Sequence, residues 1–522
     1  MRLPISTVGV CRCLVLILGG LALGVRGTSP RVPADYVAHE WGTFTSVQGS
    51  NGEPIPWDPF QGPSDLPGFV FRRQVPTLNT DVLCTRAAKF RQLDLKTGAW
   101  LQRMETPVIY FHSRDPLDVD VHVRFPQGLL TEWFPQVSTF GPIAGVDDVL
   151  ASSRESHLRW NRVRVHAKND SEAPGVSQAL PTRPGPSHYY AARHTSANLV
   201  EATAGFSKEA QVQRDRFLFY RGVGSFPAPL QAGVEADDRT LFLVNQGEEP
   251  LGPFFAVKVE GDRMAFTRMA PLAPGQRRTL AIPTESVARS GLESEARRSE
   301  SIQSGSVRGC GKVAEPSRLG THGLQQRCYC GETPQPLSSG SWRELGAALE
   351  SAIVAAGLHE DEASAMVQTW RDSWFQEPGL RVLYLLPQAW TDRTLPLTLV
   401  PAPLSVVRVM IGRAEVFQRA VESRVAGLVG DFLKNDRAWS VASLRAAGMG
   451  RFLEPAITRA GQVIQRRAFA NAFSCRALPE SGGPSEATLI PEQEWLRRIQ
   501  EVKDAVRLAG TETDGVTTAG VR

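Results

Sequence analysis

The hydrophobic period of this chain changes once, from two residues to 3.6, and this change decides its fold class. Between 36 and 285 apolar and polar residues alternate, as they do in half-buried strands separated by regular turns. Examples are 119–125 and 157–166, and the second slips once at Asn161-Arg162, which could be a bulge. From 341 to 510 the apolar residues recur at helical spacing, for example over 345–356, which Gly357 follows as a helix stop. A second helix is predicted over 363–374, and the acidic residues at 360–362 are suited to its start. The sequence therefore predicts an α+β protein, with an N-terminal antiparallel β-sandwich region followed by a mainly helical C-terminal region.

Two stretches without a hydrophobic period divide the chain further. Residues 168–187 are rich in Pro, Ser and Gly, which indicates a loop or a boundary between two β modules. Residues 286–340 are rich in Ser, Arg, Glu and Gly, which predicts a linker of low order. This linker carries Cys310, Cys328 and Cys330.

Short apolar runs at 381–386, 395–400 and 406–411 interrupt the helical region and look like strands. Such strands could complete the N-terminal sheet and join the two regions into one interlocked body. The last residues, 511–522, are polar and are predicted to be a frayed tail.

The first 27 residues have the pattern of a secretory signal peptide. Arg2 and Arg12 are followed by an apolar run from 13 to 25, which is shorter than a membrane span. Cleavage would give a secreted or periplasmic protein, and retention would leave it anchored in the membrane. No later segment has enough unbroken apolar residues to cross a bilayer, so no transmembrane helix is expected after cleavage.

Net charge argues against nucleic acid as a partner. Lys and Arg number 58 and Asp and Glu number 54, which gives a net charge of +4, and the basic residues are scattered. Five cysteines remain after cleavage of the leader, so at least one is free or paired with another chain.

The densest set of reactive groups is the octapeptide at 39–46, with the sequence HEWGTFTS. His39 and Glu40 are candidates for a catalytic base and its partner, or for metal ligands. Neighbouring side chains on a strand point to opposite faces, however, so the two would not share one site. The alternative is an ordinary first strand whose polar groups make local hydrogen bonds.

The other candidates are single residues. Glu105 could be a catalytic acid, although a structural salt bridge to Arg193 or Arg221 is the simpler interpretation. Arg193 and Arg221 stand beside aromatic residues and are candidates for binding a carboxylate, phosphate or sugar. Trp41 is a candidate for stacking on a glycan, with the core as its alternative place.

Metal ligands are suggested only weakly by spacing. His112 and His122 could join His39, but His122 lies on the polar face of its strand and is better explained as a solvated histidine. Cys310, Cys328, Cys330 and His322 offer four possible ligands, although a disulfide is the better interpretation. HExxH, G-x-S-x-G and phosphate-loop motifs are all missing from the sequence.

Three segments together, 39–46, 104–108 and 366–375, resemble a group of uncharacterised secreted bacterial proteins that share an HEWGTFTS and a METPV segment. The similarity covers most of the chain after the leader, except 284–340. No activity is assigned to that group. The resemblance therefore implies export to the envelope and supplies no catalytic residue.

Two hypotheses about function follow. The first is an exported envelope or periplasmic protein that binds an unidentified ligand or envelope partner without catalysis. The alternative is a secreted hydrolase acting on a glycan, ester or wall polymer, with a metal held by His39, Glu40 and a later histidine or acid. The sequence identifies no cofactor.

Overall fold

A computed structural model describes residues 32–57, 66–72, 100–141, 156–173, 180–182, 187–203, 212–261, 263–284, 287–288, 342–434, 437–474 and 492–516. The predicted signal peptide at 1–27 lies outside these residues. So does the predicted linker, with its three cysteines, apart from a two-residue strand.

The alternating segments form strands. In the first half of the strand series these are β1 (Val37–Gln48), β2 (Phe71–Arg72), β3 (Gln102–His112), β4 (Leu117–Phe125), β5 (Gly128–Phe134), β6 (Thr139–Gly141), β7 (Ser156–Val165), β8 (Val200–Thr203), β9 (Val212–Asp215) and β10 (Leu218–Gly224). The others are β11 (Leu230–Val234), β12 (Thr240–Asn245), β13 (Phe254–Glu260), β14 (Arg263–Met269), β15 (Arg277–Ala281), β16 (Val287–Ala288), β17 (Gly379–Leu386), β18 (Leu397–Val400) and β19 (Ser405–Val416).

Except for the first, the α-helices of the described residues lie in the second half of the chain. They are α1 (Lys168–Ser171), α2 (Trp342–Ala355), α3 (Glu360–Phe375), α4 (Gln388–Thr394), α5 (Arg419–Leu433), α6 (Arg437–Ala446), α7 (Leu453–Ser474) and α8 (Glu492–Val516). Among the described residues two 3-10 helices also occur, at His188–Arg193 and Gly450–Phe452. The predicted α+β class is therefore confirmed, with the helices mostly in the C-terminal half.

The largest sheet joins strands from both parts of the chain. Its order is β16-β14-β13-β17-β19-β1-β3-β10-β5-β2. Strand β1 lies near its centre, antiparallel to β3 and parallel to β19, so the sheet is mixed. The strands predicted at 381–386 and 406–411 thus pair with N-terminal strands, as the interlocked arrangement requires.

Two smaller sheets pack on one face of the large sheet. One has the order β11-β12-β15, and the other has the order β18-β4-β7-β8-β9 with β6 paired to β7. A single hydrophobic cluster contains Phe44 and Met410 of the large sheet, Val121 and Trp160 of the six-stranded sheet, and Leu243 of the three-stranded sheet. Alternating strand residues therefore bury one side of each small sheet against the large one.

Helices α2 and α3 cover the opposite face of the large sheet. Leu349 on α2 and Met366 and Trp370 on α3 share a buried cluster with Trp41 and Tyr110 of the sheet. A third cluster holds α5 to α8 together and includes Val47 from the end of β1. Within the described ranges, no helix has both the length and the apolar character of a membrane span.

Local details follow the sequence pattern. The slip expected at Asn161-Arg162 is a β-bulge, because both residues lie opposite Asp120 on β4 and Arg162 adopts a φ of 55°. Gly357 ends the α2 turn with a φ of +113°, a conformation that strongly favours glycine. Helix α8 continues to Val516, past the start of the predicted tail at 511.

Candidate metal centre

Two histidines lie side by side on the central strands of the large sheet. His39 of β1 pairs with Tyr110 of β3, and His112 follows Tyr110 by two residues. Since residues two apart on a strand point to the same face, the His39 and His112 side chains project together toward the helices. Their ring centroids are 5.0 Å apart.

The start of α3 brings two more donors to the same place. His359 is the N-cap residue and Glu362 is the third residue of the helix. The Glu362 carboxylate accepts a hydrogen bond of 2.9 Å from the His359 backbone N–H. A carboxylate in the first turn is favoured by the unpaired N–H groups and the positive end of the helix dipole, so the local sequence fixes this geometry.

Glu362 lies between the two strand histidines. One of its oxygens, Oε2, is 2.8 Å from His39 Nδ1, and the other, Oε1, is 2.8 Å from His112 Nε2. The His359 ring stacks edge-on against both rings, with centroid distances of 4.6 Å to each. One ligating atom from each of the four side chains lies within 4.8 Å of all the others.

Electrostatics keep the carboxylate ionised. Burial alone would raise the pKa of the Glu362 carboxyl, yet the hydrogen bonds with His112 and His39 bring it down to about 2. Burial lowers the pKa of His359 below its ordinary value, which favours the neutral imidazole. An ionised carboxylate and a neutral imidazole are the forms that ligate metal ions.

Neighbouring backbone groups hold the site in position. The Ser196 N–H donates to Asp361 Oδ2 at 2.5 Å, which ties the loop before β8 to the start of α3. Buried Tyr110, directly opposite His39, donates its hydroxyl to the carbonyl oxygen of Ala192 at 2.6 Å. These contacts connect the sheet, the helix and the loop around the histidines.

The charge partners of Glu362 differ from those of every other buried carboxylate in the described part of the chain. Each of the other five is paired with an arginine, in the pairs Glu40–Arg408, Glu105–Arg451, Asp215–Arg193, Glu415–Arg413 and Glu422–Arg459. Glu362 contacts imidazoles instead. An imidazole is neutral near pH 7 unless its pKa is raised, so this site lacks the permanent positive charge that the others have.

The predicted partnership of His39 with Glu40 does not form. Glu40 points to the other face of β1, where its Oε2 accepts a hydrogen bond of 2.6 Å from Arg408 Nε. Tyr220 donates its hydroxyl to the other oxygen. His39 and Glu40 therefore lie on opposite faces of β1, as alternation along a strand requires, and they do not meet at one site.

Glu105 and Arg221 lie away from the histidines. Buried Glu105 accepts hydrogen bonds from Thr45 at 2.8 Å and from Arg451 at 2.7 Å, so the expected salt bridge exists with a different arginine. Arg221 is also buried, its positive charge helps to lower the pKa of Glu105, and its Nη2 is 3.5 Å from His188 Nε2. Arg451 also donates to Ser373, and α3 separates Ser373 from Glu362 by about 16 Å.

The remaining predicted binding residues have structural partners. Trp41 is fully buried and packs on Tyr110. Arg193 donates two hydrogen bonds of 2.9 and 2.7 Å to Asp215, so these donors already have a structural partner. His122 lies in the six-stranded sheet with its ring 5.7 Å from that of His157, and it takes no part in the cluster.

Sequence reasoning missed His359 and Glu362, since their acidic segment was interpreted only as a helix start. One signal could have revealed them. Glu362 lies four residues before Met366 and eight before Trp370, on the apolar stripe of α3. A carboxylate on the buried face of a helix needs a partner, and a histidine three residues earlier is close enough to share it.

Comparison with known proteins adds no evidence about this site. No family model matches the chain, and no curated protein matches it. Among solved structures, the chain is similar to the Fcho1 Mu homology domain of Danio rerio with bound Eps15 peptide. That match has 7% sequence identity and a TM-score of 0.25, and it covers 74% of this chain and 97% of that chain. A TM-score of this size supports no argument about fold or function.

Proposed function

We propose that this protein binds one divalent transition-metal ion through His39, His112, His359 and Glu362. The observation that carries the proposal is the buried Glu362 carboxylate, which is surrounded by imidazoles where other buried carboxylates have arginines. A metal ion would supply the missing positive charge and would use all four side chains as ligands.

Zinc is the metal that the donor set fits best. Three imidazole nitrogens and one carboxylate oxygen match the nitrogen and oxygen ligands of tetrahedral Zn²⁺. At metal–ligand distances of about 2.1 Å, tetrahedral ligands are about 3.4 Å from one another. The present separations of up to 4.8 Å therefore need only a modest contraction. Imidazole-rich sites also take Cu²⁺, Ni²⁺ and Fe²⁺, so the choice in the cell depends on supply.

Metal titration of the purified protein tests this proposal. We expect one Zn²⁺ to bind per chain, and His39→Gln or Glu362→Gln to weaken binding at least a hundredfold. His122→Gln is the matched control, because His122 is also a strand histidine but lies in another sheet. The metal site would be refuted by two results together. Elemental analysis would find no stoichiometric metal, and the wild type and His39→Gln would bind Zn²⁺ equally weakly.

A metal-dependent hydrolase is the second candidate, and one observation favours it. The His359 side chain is exposed, so a bound ion would be accessible to water and to a small substrate. Hydrolysis of p-nitrophenyl acetate by the zinc-loaded protein, lost in Glu362→Gln and retained in His122→Gln, would support this candidate. Stoichiometric zinc without any hydrolysis of ester or glycan substrates would favour the non-catalytic binding protein.

Two further proposals concern the setting of the site. The leader at 1–27 directs the chain to the periplasm or the outside, which N-terminal sequencing of the mature protein would test. The N-terminal region is a β-sandwich, an interpretation supported by the common core of the large sheet and the two small sheets.

A further inference from the structure

We propose that His359 is an exchangeable ligand, so that the metal centre opens to one external oxygen donor. This inference rests on the proposed metal binding. His39, His112 and Glu362 hold the ion permanently, and His359 occupies the fourth coordination position when no external ligand is bound. Two histidines and one carboxylate are a known three-ligand set for zinc sites that keep an open position.

Exposure separates His359 from the other three donors. The side chains of His39, Glu362 and His112 are 5%, 0% and 12% exposed, whereas that of His359 is 48% exposed. A buried side chain has its rotamer fixed by packing, so it reaches the metal at little further cost in entropy. An exposed histidine must lose side-chain freedom to coordinate, and water can replace it.

Distances make the same division. Glu362 is 2.8 Å from His39 and 2.8 Å from His112, but its carboxylate is 4.0 Å from His359 Nδ1. His39 and His112 sit within paired strands at the centre of the large sheet. His359 is the N-cap residue of α3, with an extended backbone outside the helical turns. Three donors are thus pre-organised, and the fourth is attached at a helix end.

Charge indicates which external ligand would bind. A divalent ion with one carboxylate keeps a net charge of +1, which favours an anionic oxygen donor or hydroxide. Asp361 stands next to the site, but both of its oxygens already accept backbone N–H groups, from Glu362 at 2.9 Å and from Ser196 at 2.5 Å. The fourth position therefore suits a small carboxylate, a hydroxamate or water.

Cobalt substitution gives a direct test, because the visible spectrum of Co²⁺ changes when a ligand is exchanged. The wild type, His359→Ala, His39→Ala and His122→Ala would be loaded with Co²⁺ and titrated with acetohydroxamate. We expect His359→Ala to weaken cobalt binding by less than about tenfold, and His39→Ala by more than the roughly hundredfold upper limit for losing a supporting partner. Acetohydroxamate should change the spectra of the wild type and of His359→Ala.

The possible outcomes separate this inference from the proposal beneath it. If the wild type and His359→Ala bind cobalt as expected and both respond to acetohydroxamate, the exchangeable ligand is supported. If His359→Ala loses as much affinity as His39→Ala and the wild-type spectrum stays constant, the site is a closed four-ligand centre and the inference fails. If the folded wild type binds no metal, the proposed function itself fails. Circular dichroism of each variant identifies any that has lost its fold.

Discussion

The carboxylates at the two ends of α3 have different kinds of partner, arginine at the C-terminal end and histidine at the N-terminal end. At its C-terminal end, Arg381 donates hydrogen bonds of 2.7 and 3.1 Å to the carbonyl oxygens of Ser373 and Trp374. Arg413 bridges Glu377 and Glu415 at 2.7 and 2.9 Å. These guanidinium groups satisfy the free carbonyls of the helix end, the half-buried Glu377 carboxylate and the buried Glu415 carboxylate together.

At the N-terminal end the same helix presents Glu362 to the imidazole side chains of His39 and His112. In the C-terminal network the charges are paired with side chains of opposite sign from the protein itself, since Arg381 and Arg413 both contact Glu415 and Arg413 also contacts Glu377. The N-terminal cluster gains its balance only from protons on the histidines or from a bound cation. The comparison separates the carboxylates whose charge an arginine already balances from Glu362, the carboxylate for which we propose a metal ion.

The largest effect should come from breaking one arginine pair. Arg408→Met would leave Glu40 buried beside Tyr220 without a cation, and we expect a loss of about 3–5 kcal/mol in the free energy of unfolding. Chemical denaturation measures this change. Addition of Zn²⁺ should not restore the loss, and a decrease below about 1 kcal/mol would show that Glu40 does not depend on Arg408.

Acid should weaken the arginine-paired region next. Burial alone would raise the pKa of the Glu105 carboxyl, but the positive charges of Arg451 and Arg103 hold it at about 2, below the ordinary 4.5. A depressed pKa contributes stability that is full above pH 4.5 and is lost as the pH falls toward 2. The contribution is on the order of 3 kcal/mol.

Denaturation of the wild type and of Glu105→Gln between pH 6 and pH 2 measures this dependence. The variant should be less stable at pH 6 and should have a smaller slope between pH 4.5 and pH 2. Asp118→Asn, which alters an exposed acid on β4, serves as the control. Parallel curves for the wild type and Glu105→Gln would contradict the assignment.

Metal should stabilise the histidine region by a somewhat smaller amount. Free Zn²⁺ at about a hundred times its dissociation constant should raise the free energy of unfolding by about 2.7 kcal/mol. Glu362→Gln should abolish this increase. Without metal, Glu362→Gln should lower the free energy of unfolding by less than Arg408→Met does. The reason is that Glu362→Gln removes a buried charge, whereas Arg408→Met leaves a buried charge without its partner. An equal zinc effect in both proteins would locate the ion elsewhere.

The smallest change in the free energy of unfolding should come from removing a surface ion pair, and the changes at buried pairs are judged against it. Arg164 Nη1 is 3.2 Å from Asp118 Oδ1, and the two side chains are 45% and 40% exposed. Asp118→Asn should change the free energy of unfolding by less than about 1 kcal/mol, with or without zinc. A change as large as that of Arg408→Met would mean that burial does not decide the worth of ion pairs in this protein.

Local patterns in the sequence predicted much of the fold, because they depend on neighbouring residues. Alternation identified β4 and β7, including the bulge at Asn161-Arg162. Helical spacing identified α2 and α3 and the stop at Gly357. The parallel pairing of β1 with β19 was not predictable as a register, since no local rule selects a partner so far along the chain.

The site was predicted only in part for the same reason. His39 and His112 were both considered as metal ligands, but nothing in their spacing showed that they share a face of paired strands. Glu362 is 323 positions from His39, so only the tertiary fold reveals that they meet. Glu40 attracted attention through its proximity in sequence, whereas strand alternation sends it to Arg408.

The central place of β1 has a consequence for biogenesis. Glu40 and its partner Arg408 are 368 positions apart, and between them lie nearly all the strands of the three sheets. During translation β1 is therefore synthesised long before β19, the strand that pairs with its second edge. Until then an apolar strand edge stays open to aggregation, so efficient production should depend on a chaperone that shields the first segment until the last strand arrives.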